Sequence, residues 1–327
     1  MKALGFDRYG SPGVVSVVEL PDPVAGETDV LVRVHAVCVT SADSAARSGT
    51  PRMIRLFTGL RRPRQRVLGT EFAGVVEAVG AGVTRFVVGD RVVAASGTSF
   101  GAHAELVVVD QHGAIAIVPD ALELGDALAI CEGGLTALPF LRDGAHVKPG
   151  QRVLVNGASG AVGSAAVQLA VLMGADVTAV SSAQNSALAS SLGAARTIDY
   201  RSEDFTRSPH RYDVVFDAVG TSSFGRSRHV LAPGGVYLTT VPTLGIAVAS
   251  LTAKLFGRRA RLALTGLRAP AAKRADLEWL LARAAEGALV PVVDARHPFE
   301  DAVAAYERVD SGRKVGALLL VTRAAVG

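Results

Sequence analysis

Apolar residues change their spacing several times along the chain. Between residues 30 and 109 they form short β-branched blocks, at 30–39, 75–79, 91–95 and 105–109, punctuated by Gly, Pro or Asp. Such blocks, bounded by turn formers, predict strands. VTRFVVGD (83–90) followed by RVVA predicts a turn-linked strand pair. Short strands without intervening helices predict an irregular barrel. From 121 to 141, Ala and Leu recur at helical spacing, broken by Gly133, Gly134 and Pro139.

A different rhythm begins at Gln151. Strands are predicted at 153–156, 176–180, 196–199, 213–218 and 236–240, with helices at 161–173, 185–192 and 222–231 between them. That alternation signals βαβ units and a parallel, doubly wound α/β sheet. Residues 261–267 predict an edge strand and 271–287 an amphipathic helix. HPFEDAVAAYERVDSG predicts a further helix, and 317–321 a closing strand. The expected layout is a β-rich domain over 1–120 and 290–327, interrupted by a nucleotide-binding domain over 121–289.

With 327 residues, 49% of them apolar and 20% charged, the chain has enough apolar sequence for two packed domains and too much for disorder. Net charge is only +4 and aromatics are 5%, which argues against a nucleic-acid binder. The two cysteines, Cys38 and Cys131, cannot build a disulfide framework. No run reaches the ~18–20 uninterrupted apolar residues of a membrane helix. The first ten residues lack the apolar core of a secretory signal. A cytoplasmic protein without a membrane partner is expected.

The candidate chemistry lies in Val153-Leu-Val-Asn-Gly157-Ala158-Ser159-Gly160-Ala161-Val162-Gly163. The glycine triplet alone is weak in a chain with 35 glycines. Its position, after a predicted strand and opening a predicted helix, is what a dinucleotide fingerprint requires. Glycine lets the backbone approach a pyrophosphate, and the helix N-terminus offers unpaired N–H groups. The alternative is an ordinary tight turn. At the end of the second strand, an NAD site usually carries Asp or Glu for the ribose. Here Ser181, Ser182, Ala183, Gln184 and Asn185 follow instead, favouring NADPH, although the two serines also suit a helix cap.

Further motifs align in order: FDRYGSPGVV, VRVHAVCVTSADSAARSG, LGTEFAGVVEAVGAGVTRFVVGDRV, GAHAELVVV, GGLTAL, GASGAVG, SLGAARTIDYR, YDVVFDAVG and LAPGG. On these the chain resembles, over essentially its whole length, the medium-chain dehydrogenase/reductase superfamily in its zinc-independent quinone oxidoreductase branch. The resemblance implies a GroES-like β-rich catalytic domain and a Rossmann domain. Thr40 and Thr70 stand where zinc-dependent relatives carry cysteine and histidine, and hydroxyls do not replace thiolate and imidazole on zinc. No metal is therefore expected, and no flavin.

By the same resemblance, Thr40 takes the place of an asparagine beside the nicotinamide, as a donor to a developing oxyanion. A strand-end threonine satisfied by backbone is the other reading. A nearby family tyrosine is Ala45 here. Thr136 resembles a cofactor-phosphate contact and Tyr200 a tyrosine at the 2′-phosphate end. Val219 and Gly220 match the strand end near the nicotinamide ribose. Asn185 and Ala317 replace positive residues, which weakens the preference for NADPH over NADH unless Arg201 compensates.

The implied activity is hydride transfer from NADPH to a quinone or an α,β-unsaturated carbonyl, in a homodimer joined through 261–267. The alternatives are a dedicated biosynthetic enoyl or ketone reductase, or an NADPH-binding regulatory protein. Two segments stay open. Arg52, Arg55, Arg61, Arg62, Arg64 and Arg66 interleave with apolar residues, as a lid over an acidic or aromatic substrate or as a solvated surface helix. Residues 244–256 are apolar, suiting a substrate pocket or a subunit contact, with membrane binding a remote third option.

Overall fold

The structure is a computed structural model, and it describes residues 1–262 and 265–322. Strands β1 (Lys2–Gly5), β2 (Ser16–Glu19) and β3 (Asp29–Cys38) lead into helices α1 (Ser41–Ser48) and α2 (Arg55–Thr58). Strands β4 (Glu71–Val79), β5 (Arg91–Ala95), β6 (Leu106–Asp110) and β7 (Ala114–Ile117) precede α3 (Leu124–Pro139). Then β8 (Arg152–Asn156), α4 (Ala161–Leu172), β9 (Asp176–Ser181), α5 (Ser186–Ser191) and β10 (Arg196–Asp199) alternate. They continue as β11 (Tyr212–Asp217), α6 (Phe224–Ser227), β12 (Leu231–Thr239), α7 (Leu244–Thr252) and β13 (Arg259–Leu262). Helix α8 (Pro270–Ala285), β14 (Val293–Pro298), α9 (Ala302–Asp310) and β15 (Ala317–Val321) close the chain.

Two compact units result: Met1–Glu132 with Gly266–Gly327, and Gly133–Thr265. In the first, the sheet runs β14-β15-β3-β4-β5-β7. One edge of the long strand β3 pairs with β4, while the other is shared by β6 against residues 29–33 and β15 against residues 36–38. Alternate β3 residues Val30, Val32 and Val34 are fully buried, the period-two signature of a half-buried strand. They pack with Phe72, Val92, Ile115, Tyr306 and Leu320 in one core. The antiparallel register sets Val37 against Phe72, so the end of β3 lies beside the start of β4.

The second unit is a parallel six-stranded sheet of order β10-β9-β8-β11-β12-β13. Leu154, Val180, Val215 and Tyr237 are in its core, and the consecutive apolar runs reflect burial on both faces. The register pairs Asn156 of β8 with Val180 of β9 and with Asp217 of β11, so three strands end together. The order reverses at β8, the switch point where such sheets bind ligands.

Some expectations need correction. The unit boundaries fall at 132/133, inside α3, and at 265/266, rather than at 120/121 and 289/290. The reason is packing: α8 lies against β7 of the first unit. Residues 83–90 form no strand; Val83 and Phe86 pack against the core while Val87 and Val88 face solvent. Only Phe224–Ser227 of the expected helix at 222–231 forms. The edge strand is Arg259–Leu262, and residues 263–264 of the expected segment lie outside the described residues. Among the described residues one helical run, Leu124–Ala145, is long and apolar enough to cross a membrane; its apolar stretch is 72% buried, as in a core helix.

Candidate functional site

The predicted cofactor residues all fall in the second unit, around the ends of β8, β9 and β11. Both Gly157 N and Ala158 N donate to Val180 O at 3.0 Å, folding the loop over β9. Gly157 has φ +81°, and a Cβ there would stand 2.4 Å from Val219 Cγ1. At Gly163 a Cβ would lie 2.0 Å from Gly157 O. Only glycine permits this path. Gly160 caps α4 without a side-chain bond. The first-turn N–H groups of Ala161, Val162 and Gly163 have no acceptor within the helix, by helix geometry, and sit at its positive end. This is an anion cradle made of backbone, and it fits a dinucleotide pyrophosphate.

The rim beside it is tied to the loop. Asn185 Nδ2 donates to Ser159 Oγ (3.0 Å), and Tyr200 N donates to Ser181 O (3.1 Å). Ser181 and Ser182 are buried, and Ser181 Oγ donates to Ser182 O. Tyr200 is exposed, with the Arg201 guanidinium 5.8 Å from its ring. The carboxylate nearest in sequence, Asp199, accepts from Arg201 N. Across the sheet, buried Asp217 accepts from Asn156 Nδ2 (2.9 Å), Gly220 N (2.9 Å), Ser222 N (2.8 Å) and Tyr237 Oη (3.0 Å). That carboxylate fixes the turn carrying Val219 and Gly220. Thr136 lies in α3 one turn after Gly133, where a Cβ would stand 2.2 Å from Ala161 O. Thr136 is half-buried among buried neighbours, close in sequence to that contact. A cavity of about 340 Å³ lined by Phe224, Thr243 and Ile246 borders the Asp217-braced turn through Gly220, Ser222 and Tyr237, and no residue of the 157–163 loop lines it.

Polar chemistry in the first unit collects where β3 ends and β4 begins. Thr40 caps α1: its Oγ1 donates to Asp43 Oδ2 (2.6 Å) and accepts from Asp43 N (3.1 Å), while Thr40 N donates back to Asp43 Oδ2 (3.0 Å). Asp43 Oδ1 also accepts from Gly69 N at 2.9 Å. Next along, Thr70 Oγ1 donates to Glu71 Oε2. Burial, with the Asp43 and Glu132 charges adding, pushes the Glu71 carboxyl up to about 8 against the Thr70 bond. Glu132, raised by burial, pairs with Lys314 Nζ at 3.3 Å. Burial also raises the Cys38 and Cys131 thiols.

Several relatives of this chain are quinone oxidoreductases. Residues 26–120 match the alcohol dehydrogenase GroES-like domain family and 192–320 the zinc-binding dehydrogenase family. A quinone oxidoreductase of Pseudomonas aeruginosa is 33% identical over 264 residues, covering 77% of this chain and 78% of its own. Quinone oxidoreductase 1 of Escherichia coli is 30% identical over 333 residues, covering 97% and 98%. The chain belongs to the medium-chain dehydrogenase/reductase superfamily, in its quinone oxidoreductase branch. An Escherichia coli quinone oxidoreductase structure in complex with NADPH superposes with TM-score 0.84 at 27% identity, covering 98% of this chain and 100% of that one. The chain is thus an NAD(P)H-dependent oxidoreductase with a GroES-like and a Rossmann unit.

In the first unit the Thr40 hydroxyl donates to Asp43 Oδ2 and accepts from Asp43 N, which makes Thr40 the cap of α1. The pattern Thr40-x-x-Asp43 is a capping-box signature and carried that signal. Asp43, Glu132 and Lys314 were missed because they meet only through the fold. Zinc does not fit the donors present. Thr70 is bonded to Glu71, both thiols are held neutral by burial, and among the described residues no group of three His, Cys, Asp or Glu is arranged to hold a metal.

Proposed function

We propose that the chain is a zinc-independent, flavin-free reductase that uses NADPH to reduce a quinone or an α,β-unsaturated carbonyl. The observation that carries the cofactor choice is the carboxylate-free end of β9, where Ser181 and Ser182 lead to Asn185 and its bond to Ser159. A ribose 2′-phosphate meets no repelling charge on that strand end, and Tyr200 and Arg201 supply an aromatic face and a cation. The relation to quinone oxidoreductases supports the acceptor class and favours it over a dedicated enoyl or ketone reductase.

Bound NADPH would supply the hydride. The residues proposed to hold it are Thr136, Gly157 through Gly163, Ser181, Ser182, Asn185, Tyr200, Val219 and Gly220. The backbone N–H groups of Ala161 to Gly163 would bind the pyrophosphate, and the Asp217-braced turn would orient the far end. In the first unit, burial raises the Glu71 carboxyl to about 8. We also read the open edge of β13, with Leu244, Val248, Leu251 and Leu255 exposed on and after α7 beside it, as the contact of a homodimer. Two buried, unpaired cysteines suit the cytoplasm.

Product analysis tests the reading. Incubation with NADPH and either a benzoquinone or a conjugated ketone, in the presence of a chelator, yields hydroquinone or the saturated ketone. Absence of both products while NADPH still binds would reject the reductase and favour the regulatory alternative.

A further inference from the structure

The segment 51–66 presents its apolar side outward. Met53, Leu56, Phe57 and Leu60 stand at i, i+3, i+4 and i+7, the spacing of a stripe that normally faces a core. They are instead 58%, 62%, 78% and 67% exposed. The opposite side holds the segment down. Thr58 is buried, and the Tyr9 hydroxyl donates to Gly59 O (2.5 Å) and lies 2.9 Å from Thr58 Oγ1. Arg55 Nε donates to Gly49 O (3.0 Å), with its guanidinium 4.6 Å over the Tyr9 ring. The turns Arg52–Ile54 and α2 run together as one short helical stretch, so outward display of the stripe is built in.

Charge surrounds the stripe. Arg52, Arg55, Arg61, Arg62, Arg64 and Arg66 lie in the segment, and no Asp or Glu occurs between Asp43 and Glu71. None of the six takes part in an ion pair among the described residues, and all but Arg55 are exposed. Four exposed apolar side chains and five exposed arginines in one segment, with no ion pair among the described residues, match a surface that is anionic outside and apolar beneath. A nucleic acid would satisfy the charges and leave the apolar stripe in water.

We propose that residues 51–66 form a docking surface for an anionic lipid bilayer. Phe57, Leu56, Met53 and Leu60 enter the headgroup–acyl boundary, and the arginines bind lipid phosphate and carboxylate while their stems cover apolar surface. This departs from the expectation of no membrane partner. It does not depend on the redox reading, because the proposed cofactor residues lie in the other unit.

Flotation of the full chain with phosphatidylcholine–phosphatidylserine vesicles, against pure phosphatidylcholine, tests it at physiological salt. The chain should float with the mixed vesicles alone. Leu56→Ser with Phe57→Ser should weaken binding roughly 10-fold or more. Arg61→Glu with Arg62→Glu should weaken it about 10-fold. Both variants should keep the wild-type melting temperature and NADPH affinity, since these side chains make no hydrogen bond or ion pair among the described residues. Equal flotation with neutral vesicles, no flotation with either, or unchanged flotation of the serine variant would overturn the proposal. So would duplex DNA binding that is as tight as vesicle binding and indifferent to the serine substitutions.

Discussion

The glycine loop of the second unit and the polar cluster of the first are built in opposite ways. The loop offers backbone N–H groups from one contiguous stretch, and its side chains matter mainly by being absent at Gly157 and Gly163. The cluster uses carboxyls and hydroxyls from residues 40, 43, 70, 71 and 132, together with Lys314, brought together by the β3–β4 register and the return of the chain. Backbone binding tolerates changes of side chain and fails when volume is added. A buried ionisable cluster tolerates little change of partner, and it responds to pH. The same chain thus carries one site governed by sterics and one governed by proton equilibria.

Removing a partner in the first unit should have the largest effect. Asp43→Ala leaves Gly69 N and Thr40 N without their acceptor and removes a cap, so it should cost about 3 kcal/mol in urea denaturation. In the second unit, Gly163→Val drives a side chain toward Gly157 O. NADPH affinity by fluorescence titration should fall roughly 10- to 100-fold. A parallel substitution at an exposed helix position, Ser190→Val, should leave it unchanged.

Glu71 sharpens the contrast. Its carboxyl titrates near pH 8 in the folded chain, above its ordinary value of 4.5, so the folded state holds a proton that the unfolded state has lost. Stability therefore falls as pH rises from about 4.5 to about 8. Glu71→Gln mimics the protonated form. It should match the wild type near pH 4.5 and exceed it by about 1–2 kcal/mol at pH 9, after allowance for solvent at a partly exposed carboxyl. Thermal melts across pH read this directly. The smallest effect is at the rim: Asn185→Lys gives up the Ser159 bond and adds a cation, and should raise the NADPH-to-NADH preference about 3- to 5-fold.

What was legible in the sequence follows the same division. Strands 91–95, 196–199 and 317–321 and the loop from 157 to 163 could be read because their signals are local and periodic. Asp217 falls within the strand predicted at 213–218, but its donors come from residues 156, 220, 222 and 237, which no spacing rule gathers. At Thr40 the local Thr-x-x-Asp pattern already signals the helix cap that the structure shows. At 51–66 the sequence leaves a lid and a surface helix open, and it is the Tyr9 and Gly49 contacts that turn Met53, Leu56 and Phe57 outward.

The central claim, a cofactor cradle selective for NADPH in a metal-independent reductase, is tested most directly by the initial rate of quinone reduction with NADPH and with NADH in saturating chelator. The account predicts undiminished turnover in chelator and a higher kcat/KM with NADPH. Loss of turnover in chelator, or a higher kcat/KM with NADH, would contradict it.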